Sequence, residues 1–282
     1  MTKRLRDSLI LAFEILGGIA TILTILGVSV STLLPMNERP TLLRIIAYTG
    51  IVVAVYVVLF LIIYFIKGRK YKDSVTLQIG KNTVNIITGD IFNIPGWRVI
   101  AVDTSFSTKV NDVIISKNSL HGQLVLNHGD ANSINDTVKK TAEEIGLKPD
   151  ENGSYRFKLG TMIPYESSKE KEQIYLMAAM TELNETYEAH ISMVQFEHTL
   201  MRMWKEISRI YAGNDIVLPL LGSGITRFDD NQDDPRELLR CMLCTLNTSK
   251  VHLKSKITVV IYNDDKTQLP LYEYKELFKI VR

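Results

Sequence analysis

The chain has 282 residues, with 33 Lys and Arg against 31 Asp and Glu, a net charge of +2, and two cysteines. That length fits one or two domains. The near-neutral balance gives no electrostatic case for nucleic acid, and two cysteines exclude a disulfide-stapled secreted fold.

Apolar side chains dominate as far as Ile66, and an ordinary soluble-domain composition follows from Lys67. Residues 15–36, "ILGGIATILTILGVSVSTLLPM", and 45–66, "IIAYTGIVVAVYVVLFLIIYFI", carry no charged side chain. Each is about 22 residues long, about 33 Å as a helix, against a hydrocarbon core of about 30 Å. The expected spans are therefore about 9–36 and 43–66, forming a transmembrane hairpin within residues 1–72. A cleaved signal peptide has a shorter apolar region and is not followed at once by a second span. Lys3, Arg4 and Arg6 precede the first span, and Lys67, Arg69, Lys70 and Lys72 follow the second. Both ends are thus expected in the cytoplasm, with the connection "NERP" outside. Glu14 reads as an interfacial carboxylate or as a polar group facing a helix bundle. Gly17, Gly18, Gly27 and Ser31 form a candidate close-packing stripe.

Residues 73–282 are expected to form a cytoplasmic domain. "VTLQIGKNTVNIITGDIFNI", 75–94, reads as two strands around a turn at Gly80, Lys81 and Asn82. "RVIAVDTSF", 98–106, reads as a strand buried on both faces. A helix starts between Asn132 and Asn135 and stops at Gly146. "SYRFKLGTMIPYE" and "EQIYLMAAM" are strand candidates joined by "SSKEKEQ" as a hairpin. A long helix is expected over 187–211, because Met193, Phe196, Leu200, Met203, Trp204, Ile207 and Ile210 make one apolar stripe. Then come strand "DIVLPLL", a Gly-Ser-Gly loop, a helix over 235–246, strand "KITVVIY" and a short helix over 272–280. Alternating strands and helices imply an α/β layer fold, with ligands at the carboxyl ends of the strands. Gly89-Asp90-Ile91 and Gly222-Ser223-Gly224 both lie at such ends.

The sequence contains no G-x-x-x-x-G-K-[ST], G-x-G-x-x-G or H-E-x-x-H. Its five histidines, His121, His128, His190, His198 and His252, are scattered without metal spacing and read as surface or packing residues. Cys241 and Cys244 fall in an apolar helical pattern and read as core. Ser223 lacks the glycine two residues earlier that a nucleophile elbow needs. A glycine loop after a buried strand exposes N–H groups and admits a diphosphate. "GSG" alone is also an ordinary tight turn, and Asp90 alone is also a turn cap.

Taken together, "VNIITGDIFNI" and "IVLPLLGSGITRF" resemble the "GDI" signature and the phosphate loop of macro domains. The resemblance implies a three-layer α/β/α fold with a mixed, largely parallel sheet, and a site for an ADP-ribose derivative with no cofactor and no metal. It implies that Asp90 and Ile91 contact adenine and that Leu221, Gly222, Ser223, Gly224, Ile225 and Thr226 hold the phosphates. Phe228 would pack near the distal ribose, and Asp103 and Gly122 would sit on the wall facing the distal group. The hydrolytic "N-A-A-N" segment is not matched by "AVDTSF", so a binding protein is expected rather than an enzyme, with no catalytic residue. An ADP-ribosyl hydrolase and a ligand-free scaffold are the alternatives. Two spans followed by such a domain resemble the membrane effectors of bacterial Thoeris antiphage systems. That implies an inner-membrane protein, a partner TIR-domain enzyme making the signal from NAD (histidine-ADP-ribose in the macro-bearing branch), ligand-driven homo-oligomers and disruption of the lipid bilayer.

Overall fold

A computed structural model describes residues 3–25, 42–70, 74–183, 188–224, 227–228, 234–262, 269 and 271. The chain divides into two compact units, one holding both N-terminal helices and the other all nine strands.

In the first unit, α1 (Lys3–Ile25) and α2 (Leu42–Lys70) pack on one another. Ser8 and Ala12 are fully buried, and Tyr56 Oη of α2 donates to the Leu9 carbonyl of α1 at 3.1 Å. The expected small-residue stripe does not make this contact, since Gly17 and Gly18 are exposed with open space where a Cβ would stand. Two spans were expected; among the described residues one helix is long and apolar enough to cross a membrane, over Thr49–Ile66 in α2. The described part of α1 carries Lys3, Arg4, Arg6, Asp7 and Glu14. The rest of the expected first span lies outside the described residues, with Gly27, Ser31 and the "NERP" connection.

The second unit opens with an antiparallel hairpin of β1 (Ser74–Ile79) and β2 (Asn82–Thr88). Asn82, expected in the turn, begins β2 and is buried. Its amide donates to Val251 O at 2.8 Å and its oxygen accepts from Leu253 N–H at 2.9 Å, so the hairpin is tied to a segment far along the chain. A 3-10 turn over Ile91–Asn93 leads to β3 (Trp97–Asp103). After a long loop, α3 (Leu120–Gln123) widens into a π turn over Leu124–His128, and α4 (Ala131–Glu144) follows with Asp130 as its cap. Residues 154–161 form no strand, and β4 starts at Met162 (Met162–Glu166). It pairs antiparallel with β5 (Ile174–Leu183), as a hairpin requires.

The long helix starts later than expected. Residues Ala189–Ile191 form a short strand, β6, and α5 occupies Met193–Ile210 behind a Ser192–Gln195 capping box. Then come β7 (Ile216–Pro219), β8 (Arg227–Phe228), α6 (Pro235–Ser249) and β9 (Ile257–Ile261). The expected final helix over 272–280, and Tyr187, lie outside the described residues.

The sheet runs β1-β2-β9-β7-β3-β5-β6-β8, with β4 also on β5. Neighbours from β2 to β5 are parallel, while the β1–β2, β4–β5 and β5–β6 pairs are antiparallel. Successive side chains point to opposite faces. Ile100 and Val102 of β3, with Tyr175, Met177 and Ala179 of β5, join Ile134, Val138 and Ala142 of α4 in one core. The intervening Val99, Leu176, Ala178 and Met180 are equally buried on the other face. Both faces are therefore covered, and α5 and α6, which touch β5 and β1, form the other layer. There Trp204 Nε1–H donates to Thr245 Oγ1 at 3.2 Å, so the largest buried ring has its polar atom satisfied. Cys241 is buried as expected, and burial, with Glu197 beside it, pushes its thiol up to about 12. Cys244 is not core: it is exposed on α6.

Candidate functional site

Parallel strands ending together leave a crevice beyond their carboxyl ends. Here it is a cavity of about 780 Å³, lined from the ends of β2, β3, β5, β7 and β9 and by the loop before α3. The Gly89 and Gly222 motifs, more than a hundred residues apart in sequence, meet in its wall.

The glycines have different physical reasons. Gly222 has φ +87°, and a Cβ there would stand 3.1 Å from Leu238 Cδ2 and from Phe228 Cζ. The close approach at Gly222 is thus the protein's own core. Gly89 and Gly224 face open space at the cavity. Neither needs its missing side chain for internal packing, and both leave room for a group to approach the backbone. Ser223 turns inward, its hydroxyl donating to Leu220 O at 2.9 Å and its N–H to the same oxygen at 3.4 Å.

Asp90 is a cap and a wall residue at once. Its Oδ1 accepts from Phe92 N–H at 3.0 Å and its Oδ2 from Asn93 Nδ2 at 3.1 Å, which fixes the turn after β2. Beneath it, Phe92 stacks on His128 with centroids 4.0 Å apart. His128 Nδ1 meets Glu170 Oε1 at 2.7 Å, and Glu170 Oε2 accepts from Tyr175 Oη at 2.6 Å and Arg98 Nη1 at 3.2 Å.

At the end of β3, the register with β5 shifts between Val102 and Asp103, so Asp103 pairs with Thr181. Such a bulge re-aims a side chain. Asp103 is 6% exposed and lines the cavity, with Oδ1 accepting from Ser105 N–H at 2.7 Å and from the Ser105 hydroxyl. Close to it is His121 of α3, 8% exposed and also in the wall. Burial holds the His121 pKa below the usual imidazole value, against the Asp103 charge and a hydrogen bond to the Ser107 backbone.

A family profile described as the macro domain of the Thoeris protein ThsA matches residues 84–262. The Thoeris protein ThsA of Bacillus amyloliquefaciens (strain Y2) is 30% identical over 270 residues, covering 93% of this chain and 89% of that protein. The chain belongs to the ThsA family. Among solved structures, an Oceanobacillus iheyensis macrodomain with ADP superposes with a TM-score of 0.50 at 16% identity, over 74% of this chain and 97% of that one. A variant of that macrodomain with ADPR gives 0.49 at 16%, over 74% and 100%. The ThsA match and the sheet order establish a macro-domain fold, as the motifs implied.

In this ThsA-family chain the structure gathers Asp90, Ile91, Asp103, Leu221, Gly222, Ser223 and Gly224 around one cavity. Gly122 lies just behind the wall formed by its neighbours His121 and Gln123, with its N–H on Ser119 Oγ at 3.0 Å. Phe228 is in the core under Gly222, edge-on to Phe196 at 5.4 Å, and does not line the cavity. Ile225 and Thr226 lie outside the described residues. Several wall residues are not singled out by the sequence, among them Thr181, His121 and Tyr262. His121 had been assigned to surface or packing, and Tyr262, 63% exposed just beyond β9, had been read as the end of a strand.

Proposed function

We propose that this chain is a membrane-anchored receptor for an ADP-ribose-type nucleotide in Thoeris antiphage defence. The observation that carries the reading is the pair Gly89 and Gly224, two glycines without a packing role, opening onto one cavity at the strand ends. A volume of about 780 Å³ suits a ligand of dinucleotide size. The diphosphate would seat on the backbone of the loop from Leu221 to Thr226. Adenine would lie by Asp90 and Ile91, with exposed Tyr262 offering a ring face. The distal group would meet Asp103 and the turn holding His121 and Gly122. Histidine-ADP-ribose, made by a partner TIR-domain enzyme, is the signal that the resemblance to Thoeris effectors supports.

The receptor is a binder and not a hydrolase in this reading. It sits in the bacterial inner membrane through residues 1–72, with both termini cytoplasmic. The apolar stretch Thr49–Ile66 supports an anchor, and the charge pattern supports a second span before it. Ligand binding favours a self-associating state, since only contacts that differ between two states shift their balance. Clustered hairpins then disrupt the bilayer.

The test is calorimetric titration of the full chain in detergent with ADP-ribose and its amino-acid conjugates. Saturable heat is expected, weakened in Asp90→Ala. Absence of heat with every conjugate would sink the receptor reading, and unchanged affinity in Asp90→Ala would remove the adenine assignment.

A further inference from the structure

The distal wall holds two ionisable side chains, Asp103 and His121, each more than nine-tenths buried and both open to the cavity. The backbone turn that carries the imidazole is fixed at two points. Ser119 caps α3 through Gly122 N–H at 3.0 Å. Gly122 lies so close to Ser116 that a Cβ would stand 2.2 Å from its carbonyl oxygen. The Ser107 backbone favours the charged form of the ring. The ring is 8% exposed and lines the cavity, so it meets what fills the space beside it.

Resting on the receptor reading above, we infer that His121 takes up a proton when a diphosphate ligand fills the cavity, so that binding tightens as pH falls. In the empty cavity, burial opposes the imidazolium and outweighs the charge of Asp103 and the Ser107 backbone. The other charged groups of the described wall are Asp90 and Asp112. Asp112 lies in the loop before α3, paired with Lys117 at 3.2 Å, and Asp90 stands at the end of β2. Thr181, Leu183 and Ala189, from β5 and β6, bring no charge. Burial therefore disfavours the charged ring, while the Asp103 charge and the Ser107 backbone favour it. A diphosphate adds two negative charges in a space from which it also expels water. A nearby opposite charge in such a setting favours the ionised base. The diphosphate of ADP-ribose does not itself titrate near neutrality, so a proton taken up on binding must go to the protein.

The sign follows from linkage. The bound pKa of His121 lies above its free pKa, so affinity is greatest below the free value. It falls as pH rises between the two values and is flat above the bound value, with a slope of at most about tenfold per pH unit for one proton.

The experiment is titration of the full chain in detergent with ADP-ribose at pH 6, 7 and 8, each in two phosphate-free buffers whose ionisation heats differ, PIPES and ACES at pH 6 and 7, HEPES and Tris at pH 8. We expect Kd to rise several-fold from pH 6 to pH 8, and the buffer difference to report proton uptake of up to about one per ligand. In His121→Gln both the pH slope and the buffer difference should vanish, whatever its absolute affinity. In Asp103→Asn the ring loses a favourable neighbour, and uptake at pH 7 should fall. Binding with equal Kd and equal heats across pH and buffer in the wild type overturns the inference and leaves the receptor reading standing. So does a pH slope retained in His121→Gln. Absence of binding at every pH overturns both.

Discussion

Single residues in this wall have reasons that can be separated by asking what a methyl group would meet. At Gly122 two effects oppose each other. Alanine is the better helix former by about 1 kcal/mol. Its Cβ would stand 2.2 Å from Ser116 O and 2.9 Å from Lys117 Cα, both backbone atoms that cannot step aside. The clash wins. Gly122→Ala is expected to destabilise the protein by about 1–3 kcal/mol and to weaken ADP-ribose binding as His121 and Gln123 shift. Thermal melts with and without ligand check this, and a raised Tm would refute it. At this scale the sequence was readable where a residue type has few uses. Gly222 and Gly224 stood out because two glycines at a strand end suggest a close approach, although at Gly222 the group that comes close is the protein's own core. His121 did not, because a lone histidine carries no spacing and its burial arises only in the folded chain. Phe228 differs in kind. Motif position suggested a ligand contact, whereas its ring fills the space under Gly222.

Elements are joined beneath the site by the Glu170 network. Glu170 lies between β4 and β5, Arg98 and Tyr175 near the starts of β3 and β5, and His128 at the end of the π turn, stacked on Phe92 below Asp90. Burial raises the Glu170 pKa, but hydrogen bonds from Tyr175 and His128 and the charges of His128 and Arg98 outweigh it and hold the carboxyl below the usual range. Burial and the bond to Glu170 push the Tyr175 phenol upward. Because the folded Glu170 value lies below the unfolded value of about 4.3, its stabilisation is complete above that pH. It is lost as pH falls through the folded value. Glu170→Gln leaves Arg98, whose side chain is 10% exposed, without its carboxylate. The expected cost at pH 7 is about 1–3 kcal/mol, shrinking as pH falls below about 4. Urea unfolding at pH 7, 5 and 3.5 measures it, and a pH-independent difference would show that the network is not electrostatic. None of these partners was readable as such, since up to 77 residues separate them. The strand β6 was missed for a related reason. Three residues carry too little pattern, and Ala189–Ile191 is a strand because β5 and β8 pair with it. The parallel centre was plain because continuous apolar runs such as Val99 to Val102 suit only strands covered on both faces.

At the scale of the whole molecule, two kinds of surface must be reconciled in one chain. No residue of the helix over Thr49–Ile66 is fully buried, Tyr56 being half-buried against α1, and exposed Val52, Val53, Val58, Ile62, Phe65 and Ile66 cover the rest. Water is a poor solvent for such a surface, at about 25 cal/mol per Å² of apolar area. The nine-stranded unit has the opposite character. Its core is closed, and every lining residue of the cavity falls between Gly89 and Tyr262. A chain beginning at Asp73 is therefore expected to remain in solution and to bind ADP-ribose with the Kd of the full chain in detergent. The full chain should stay with the membrane pellet after an alkaline carbonate wash, which strips proteins held only at the surface. Val58→Arg places a charge near the middle of the apolar stretch, at a cost of about 2.5–3.5 kcal/mol for insertion, and should reduce the pelleted fraction. Recovery of the wild-type full chain in the carbonate supernatant would mean that α2 lies against another surface and not in lipid. Loss of ligand binding on truncation, with the fold intact by circular dichroism, would mean that residues before Asp73 contribute to the site.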